Sequence, residues 1–190
     1  IETSKYRLNE DVYLGLDIAA SSLFTNGKIT ISDNKDSMNS EQFSTFLVDL
    51  FHKYSLLSIE DPFSEDDWEG WKNFHAQVGK QVMLVGDDLL VTRRSRLLES
   101  IKQDACNAIL IKPNQIGTIS ETIQVIKTAK ENNYSIVVSH RSGDTDEDFL
   151  ADLSVGVGAD FVKFGAPGRG ERVSKYNRLL YIQEFLQNNP

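Results

Sequence analysis

A single cysteine, Cys106, stands in 190 residues, so no intrachain disulfide can staple this fold. That scarcity fits a reducing compartment. Basic blocks are also missing. The 20 Lys and Arg are outnumbered by 28 Asp and Glu, for a net charge of −8. This balance argues against nucleic acid or an anionic membrane as the main partner. No apolar run approaches the length of a membrane span, and the N-terminus has no signal-peptide pattern, so the expected location is cytoplasmic. No linker or low-complexity stretch divides the chain, and residues 1–190 are expected to belong to one domain. Hydrophobic residues make up 40% and charged residues 25%, the ordinary balance of a globular protein with one good core.

What the sequence does contain is a repeat. Six short apolar runs each end in a polar or charged residue: Tyr13–Asp17, Leu57–Glu60, Met83–Asp87, Ala108–Lys112, Ile136–His140 and Phe161–Lys163. A helical pattern follows each run, over roughly 40–53, 66–78, 93–103, 119–132, 147–157 and 173–187. Strands that alternate with helices predict α/β architecture with a parallel sheet of βα units. Asn26-Gly27 before Lys28–Ser32 predicts a small hairpin after the first strand. Thr118-Ile-Ser-Glu121 reads as a capping box, with Ile119, Ile123 and Ile126 on one helical face. Ser64–Asp67 and Thr145–Asp148 place acceptors and acids at two other helix starts. Six units do not close an eight-stranded barrel, and an open sheet exposes two edges. The expectation is therefore a parallel βα barrel that lacks its first strands.

Active sites of βα barrels lie at the C-terminal strand ends. Asp17, Glu60 and Asp87 end three successive strands there. Three convergent carboxylates repel one another unless a cation sits between them, and hard oxygen ligands suit Mg²⁺. The alternative is three separate helix-capping acids. Asp61 and Asp88 follow two of these acids and are expected to point away or to support the site as acceptors. Lys112 ends a strand of four apolar residues. It is a candidate base if its pKa is lowered, or else the partner of a carboxylate in a salt bridge. Lys163 invites the same two readings. Ser139-His-Arg-Ser-Gly143 offers a histidine near neutral pH and an arginine suited to carboxylate or phosphate. His52 and His75 fall within helices and read as structural. Gly165–Arg172 is a Gly-rich turn with two arginines, a weak phosphate signal by itself.

Taken in order, these segments resemble one family. Gly15-Leu-Asp-Ile-Ala-Ala-Ser21, Ser58-Ile-Glu-Asp-Pro-Phe63, Val85-Gly-Asp-Asp-Leu89, Lys112-Pro-Asn-Gln-Ile-Gly-Thr118, Val138-Ser-His-Arg-Ser-Gly143 and Lys163-Phe-Gly-Ala-Pro167 are similar to the motif series of enolase. Glu171-Arg-Val-Ser-Lys-Tyr-Asn177 is similar to that family's final-helix signature. The resemblance runs from about Tyr13 to about Phe185.

The resemblance implies an enolase/TIM-type barrel and a lyase: a phosphopyruvate hydratase that reversibly dehydrates 2-phosphoglycerate to phosphoenolpyruvate in glycolysis and gluconeogenesis. It implies Mg²⁺ on Asp17, Glu60 and Asp87, with a second Mg²⁺ arriving with substrate. Lys112 would remove the C2 proton. Lys163 would bind the substrate carboxylate, Arg141 and Ser142 the phosphate, and His140 would line the site. The complete enzyme would be a homo-oligomer. The family's N-terminal domain and two further barrel strands have no counterpart here, and with them go the acid that protonates the departing hydroxyl and a mobile loop. A second chain supplying that half is one expectation. A truncated pseudoenzyme or binding module is the alternative, and an enolase-superfamily enzyme with another acid substrate is a third. Ser22 and Pro113 depart from the family's usual residues. Pro113 confines Lys112 to extended backbone, which suits a strand end.

Overall fold

A computed structural model describes residues 1, 3–25, 27–31 and 37–189 of the chain. The elements run β1 (Gly15–Asp17), β2 (Phe24–Thr25), β3 (Lys28–Ile29), α1 (Ser40–Tyr54), β4 (Ser58–Glu60), α2 (Trp68–Val78), β5 (Met83–Gly86) and α3 (Arg94–Gln103). They continue with β6 (Ala108–Ile111), α4 (Pro113–Ile116), α5 (Ile119–Glu131), β7 (Ser135–Ser139), α6 (Phe149–Gly156), β8 (Phe161–Lys163) and α7 (Gly170–Asn188). All six predicted strands form one parallel sheet in the order β1-β4-β5-β6-β7-β8. The small antiparallel hairpin β2–β3 lies where Asn-Gly predicts it. Gly27 there has φ 77°, while Asn26 and Ser32 lie outside the described residues.

Side chains alternate across each strand. Leu16, Ile59, Leu84, Ile109, Ile111, Ile136 and Val138 point to the helix-covered side. There they join Phe43, Leu47, Trp71, Phe74, Leu97 and Val125 in the main core. On the opposite side Val85, Ala108, Leu110 and Val137, with Met83, form a second and much smaller cluster. This is the inner face of the sheet, and it closes over a cavity of about 270 Å³. Gly15 belongs to the inner set. A β-carbon there would meet Ser58 Oγ, so a larger residue at position 15 would make that hydroxyl rotate away.

The sheet is curled. A flat six-stranded sheet would hold its outer strands roughly 24 Å apart. Instead, Lys163 Nζ on β8 lies 2.8 Å from Asp17 Oδ2 on β1. The register shows the stagger that curling needs. Asp17 pairs with Glu60 at the level of Val85, Ala108 and Ser135, whereas Lys163 pairs with Ser139, further along β7. The fold is thus a partial βα barrel with both edges open. Phe161 on the β8 edge is 42% exposed.

Some local expectations shift. Asp67 caps α2 by accepting the Gly70 N–H at 3.0 Å, but Asp148 makes no such cap for α6. In α5 Thr118 accepts the Glu121 N–H at 3.3 Å, while the reciprocal half of the box is replaced by a contact between the two side chains at 2.5 Å. The buried stripe of α5 is Thr122, Val125, Ile126 and Ala129, and Ile119 is 45% exposed. Ile119 is the first residue of the helix. His52 and His75 sit in α1 and α2 as expected, and His75 Nδ1 lies 2.8 Å from the Asp104 carbonyl.

Asn107 ties β5 to the turn before it. Its Oδ1 accepts the Leu84 N–H at 2.7 Å, and its Nδ2 donates to Gly79 O at 2.7 Å and Val82 O at 3.1 Å. Asn107→Ala strips partners from three backbone groups. Chemical denaturation is expected to show a loss of about 2–3 kcal/mol. A loss below about 0.5 kcal/mol would mean that water replaces the amide fully.

Candidate functional site

The alternation that builds the core also aims the polar strand ends. Residues 15 and 17, 58 and 60, 83 and 85, 108 and 110, 135 and 137, and 161 and 163 share the inner parity. Continuing each strand by two residues adds Asp87 and Lys112 to the same face. Asp17, Glu60 and Lys163 line the inner cavity, and Asp87 and Lys112 pair at the same end of the sheet. Lys163 Nζ donates to Asp17 Oδ2 at 2.8 Å and to Glu60 Oε1 and Oε2 at 2.8 and 2.7 Å. Lys112 Nζ pairs with Asp87 Oδ2. Lys112 and the three carboxylates therefore share one side and one end of the sheet. The backbone of Lys112 is extended, at φ −125° and ψ 98°, with Pro113 opening the short helix α4 behind it.

Burial sets the charge balance. Glu60 is only 7% exposed, and burial raises its pKa, opposed by Lys163 and reinforced by the charges of Asp17 and Asp87. Burial also works against the Lys163 ammonium, but its bonds to Asp17 and Glu60 win and hold its pKa above the usual lysine value. Asp88 is raised by burial and by its neighbour Asp87.

Asp61 acts as a staple. Its Oδ1 and Oδ2 accept the backbone N–H groups of Asp87 and Asp88 at 2.9 and 2.8 Å. Burial pushes its carboxyl up to about 7, against those two hydrogen bonds. It thus takes the supporting role expected of it, fixing the turn that presents Asp87.

Among the described residues, the carboxylates whose oxygens lie within 4.8 Å of one another are Asp61, Asp87 and Asp88, a group that could hold a metal ion. Asp17, Glu60 and Asp87 do not form so tight a group, and the Lys163 ammonium bridges the first two. Asp61, with both oxygens engaged by the backbone, is the poorer ligand. Asp87 belongs to both sets. Its Oδ1 is buried with no hydrogen-bond partner among the described residues. An orphaned carboxylate oxygen amid acids is the donor that a hard cation would satisfy.

On the far side of the mouth the loop after β7 carries His140, Arg141 and Ser142. The His140 N–H donates to Lys163 O at 3.1 Å, which ties this loop to the end of β8. Burial, then the Arg172 charge, lower the pKa of His140, so near neutral pH its imidazole is uncharged. Arg141 and Ser142 are exposed, and Arg141 Nη1 lies 3.5 Å from Asn114 Oδ1 on α4, beside Lys112. Two further cations, Arg172 and Lys175 of α7, back this loop. The sequence reading took Arg172 only as part of a weak phosphate signal and passed over Lys175. The available signal is in α7 itself, where Lys175 stands in line with Tyr176, Leu179 and Ile182, all of which pack on the core.

A curled parallel sheet with carboxylates and ammonium groups at its C-terminal strand ends is the layout of a βα-barrel enzyme domain. Residues 1–190 match the family described as enolase, C-terminal TIM barrel domain. Curated relatives named enolase are 45% identical in a Nitratiruptor species and 47% in Natranaerobius thermophilus, each over 186 residues, 98% of this chain and 44% of theirs. One from Sulfurimonas denitrificans is 45% identical over 183 residues, 96% of this chain and 44% of its own. The chain belongs to the enolase family, and it spans less than half the length of these relatives. No helix among the described residues is long and apolar enough to cross a membrane.

Proposed function

We propose that this chain carries the metal ligands and lysine base of an enolase, which reversibly dehydrates 2-phosphoglycerate to phosphoenolpyruvate. The observation that carries this reading is the gathering of Asp17, Glu60, Asp87, Lys112 and Lys163 at one end of the sheet's inner face. Asp17, Glu60 and Asp87 would hold Mg²⁺, which when bound supplies positive charge beside the substrate carboxylate and stabilises the charge that grows there. The proton at C2 is barely acidic, because its loss adds a second negative charge next to that carboxylate. Lys112 faces the site from the end of β6 and takes this proton at its Nζ. Lys163 binds the carboxylate from the β8 side. Arg141 and Ser142 hold the phosphate, with neutral His140 lining the wall between. The acid for the departing hydroxyl belongs to the part of the relatives that this chain does not span.

The test is Mg²⁺-dependent appearance of phosphoenolpyruvate, measured on the full-length protein and on the 190-residue chain alone. Activity is expected in the first and silence in the second, restored by adding the remaining portion. Silence that nothing restores would leave a pseudoenzyme or binding module. Asp87→Asn is expected to weaken Mg²⁺ affinity by about tenfold or more in a metal titration. Unchanged affinity would move the metal off Asp87.

A further inference from the structure

Among the described residues, Lys175 is the one lysine buried completely, at 0% exposure, and the reaction outlined above does not use it. A buried ammonium costs several kcal/mol unless its protons are met. Here three acceptors meet them: Glu171 O at 2.8 Å, Thr145 O at 3.0 Å and Asp144 Oδ2 at 3.5 Å. The first lies on its own helix. The other two lie on the loop that leaves β7. Within that loop Asp144 closes a turn on Arg141: its N–H donates to Arg141 O at 3.1 Å, and its Oδ2 accepts the Arg141 N–H at 3.5 Å. Its Oδ1 accepts the Thr145 N–H at 3.0 Å. One carboxylate oxygen thus meets both the Lys175 ammonium and the Arg141 backbone. Packing alone does not call for a cation here, since Met or Leu would fill the same space between α7 and the sheet. The α6–α7 contact has its own polar anchor, the two-pronged pair of Arg178 with Asp152 at 2.8 and 2.7 Å.

We propose that Lys175 is a positioning residue: through Asp144 and Thr145 its buried ammonium fixes the loop that carries Arg141 and Ser142, and so sets the affinity for the anion those two side chains meet. This rests on the assignment of Arg141 and Ser142 as phosphate holders. Lys175 itself does not touch the anion. A positioning group displaced by an ångström can cost up to about a hundredfold in the step it supports.

The experiment uses the full-length protein, with inorganic phosphate as the probe in titration calorimetry and 2-phosphoglycerate in steady-state kinetics. Lys175→Met and Asp144→Asn are expected to weaken phosphate binding and raise KM by about tenfold, with kcat changed far less. The double variant is expected to be no worse than the weaker single one, because both act through one link. Asp144 lies near the surface, so Asp144→Asn keeps the test alive if Lys175→Met fails to fold. Asp144→Asn withdraws the counter-charge of a buried ammonium and is expected to lower the melting temperature as well. The readout that a merely structural role would not move is the raised KM and weakened phosphate binding of the folded variant, with kcat nearly held. Phosphate affinity that is unchanged in Asp144→Asn and Lys175→Met but lost in Arg141→Ala would overturn the proposal. Unchanged affinity in Arg141→Ala would overturn the phosphate assignment itself, and the proposal with it.

Discussion

Lys112→Ala is expected to stop solvent exchange of the C2 proton of 2-phosphoglycerate, with a rate loss of about 10³-fold or more, while Mg²⁺ affinity holds or rises. The two halves of this result come from the same contact. Lys112 Nζ pairs with Asp87 Oδ2, and both side chains are largely shielded from solvent. Removing the side chain deletes the amine that is proposed to take the proton. It also frees a carboxylate oxygen that a cation can use. The extended backbone imposed ahead of Pro113 is untouched by the change, so the strand end keeps its shape. Proton exchange followed by deuterium incorporation, without turnover to product, isolates this step from loss of the hydroxyl. Exchange that survives would assign the base elsewhere. Mg²⁺ affinity that collapses together with exchange would mean that Lys112 is chiefly the partner of Asp87.

Phe63→Ala is expected to cost about 3–5 kcal/mol of stability and to weaken metal binding as a consequence. Phe63 is buried just past the strand end that carries Glu60. Its ring meets those of Phe74 at 5.7 Å, Phe43 at 6.1 Å and Trp71 at 6.5 Å, all near edge-on. This aromatic knot fixes the segment from Glu60 to Phe63 against α1 and α2. Asp61 within it accepts the N–H groups that set the Asp87 turn. A cavity at Phe63 thus loosens two carboxylates at once. Urea denaturation reads the stability, and a metal titration on the folded variant reads the site. A loss below about 1 kcal/mol would show that the neighbouring rings collapse into the space.

The strands and most helices were legible because their signals are local. Apolar runs of three to five residues ending in Asp17, Glu60, Asp87, Lys112 and Lys163 predict strand ends directly, whereas the face their side chains share follows only from the register of the sheet. The tight carboxylate group was not legible. That Asp61 folds back onto the Asp87–Asp88 backbone depends on the spacing of β4 and β5, and nothing near Asp61 in the chain announces it. Lys175 was hidden for a similar reason. Its acceptors on Asp144 and Thr145 lie some 30 residues away and come to it only when α7 docks. Ile119 fits the same helical stripe as Ile123 and Ile126, but only the latter two reach the core, while Ile119 at the first turn stays exposed.

The bond from Lys163 to Asp17 joins residues 146 positions apart, at the first and last strands of the sheet. The ammonium that neutralises two acids is therefore also a clasp on a hoop. Loss of function in Lys163→Ala would report two injuries together, a missing contact to an anion and a ring allowed to spring wider. Lys163→Met, which keeps the length but not the charge, would leave the clasp just as open. A crosslink between the two end strands, placed below the site, would separate these effects, because it restores the hoop without restoring the charge.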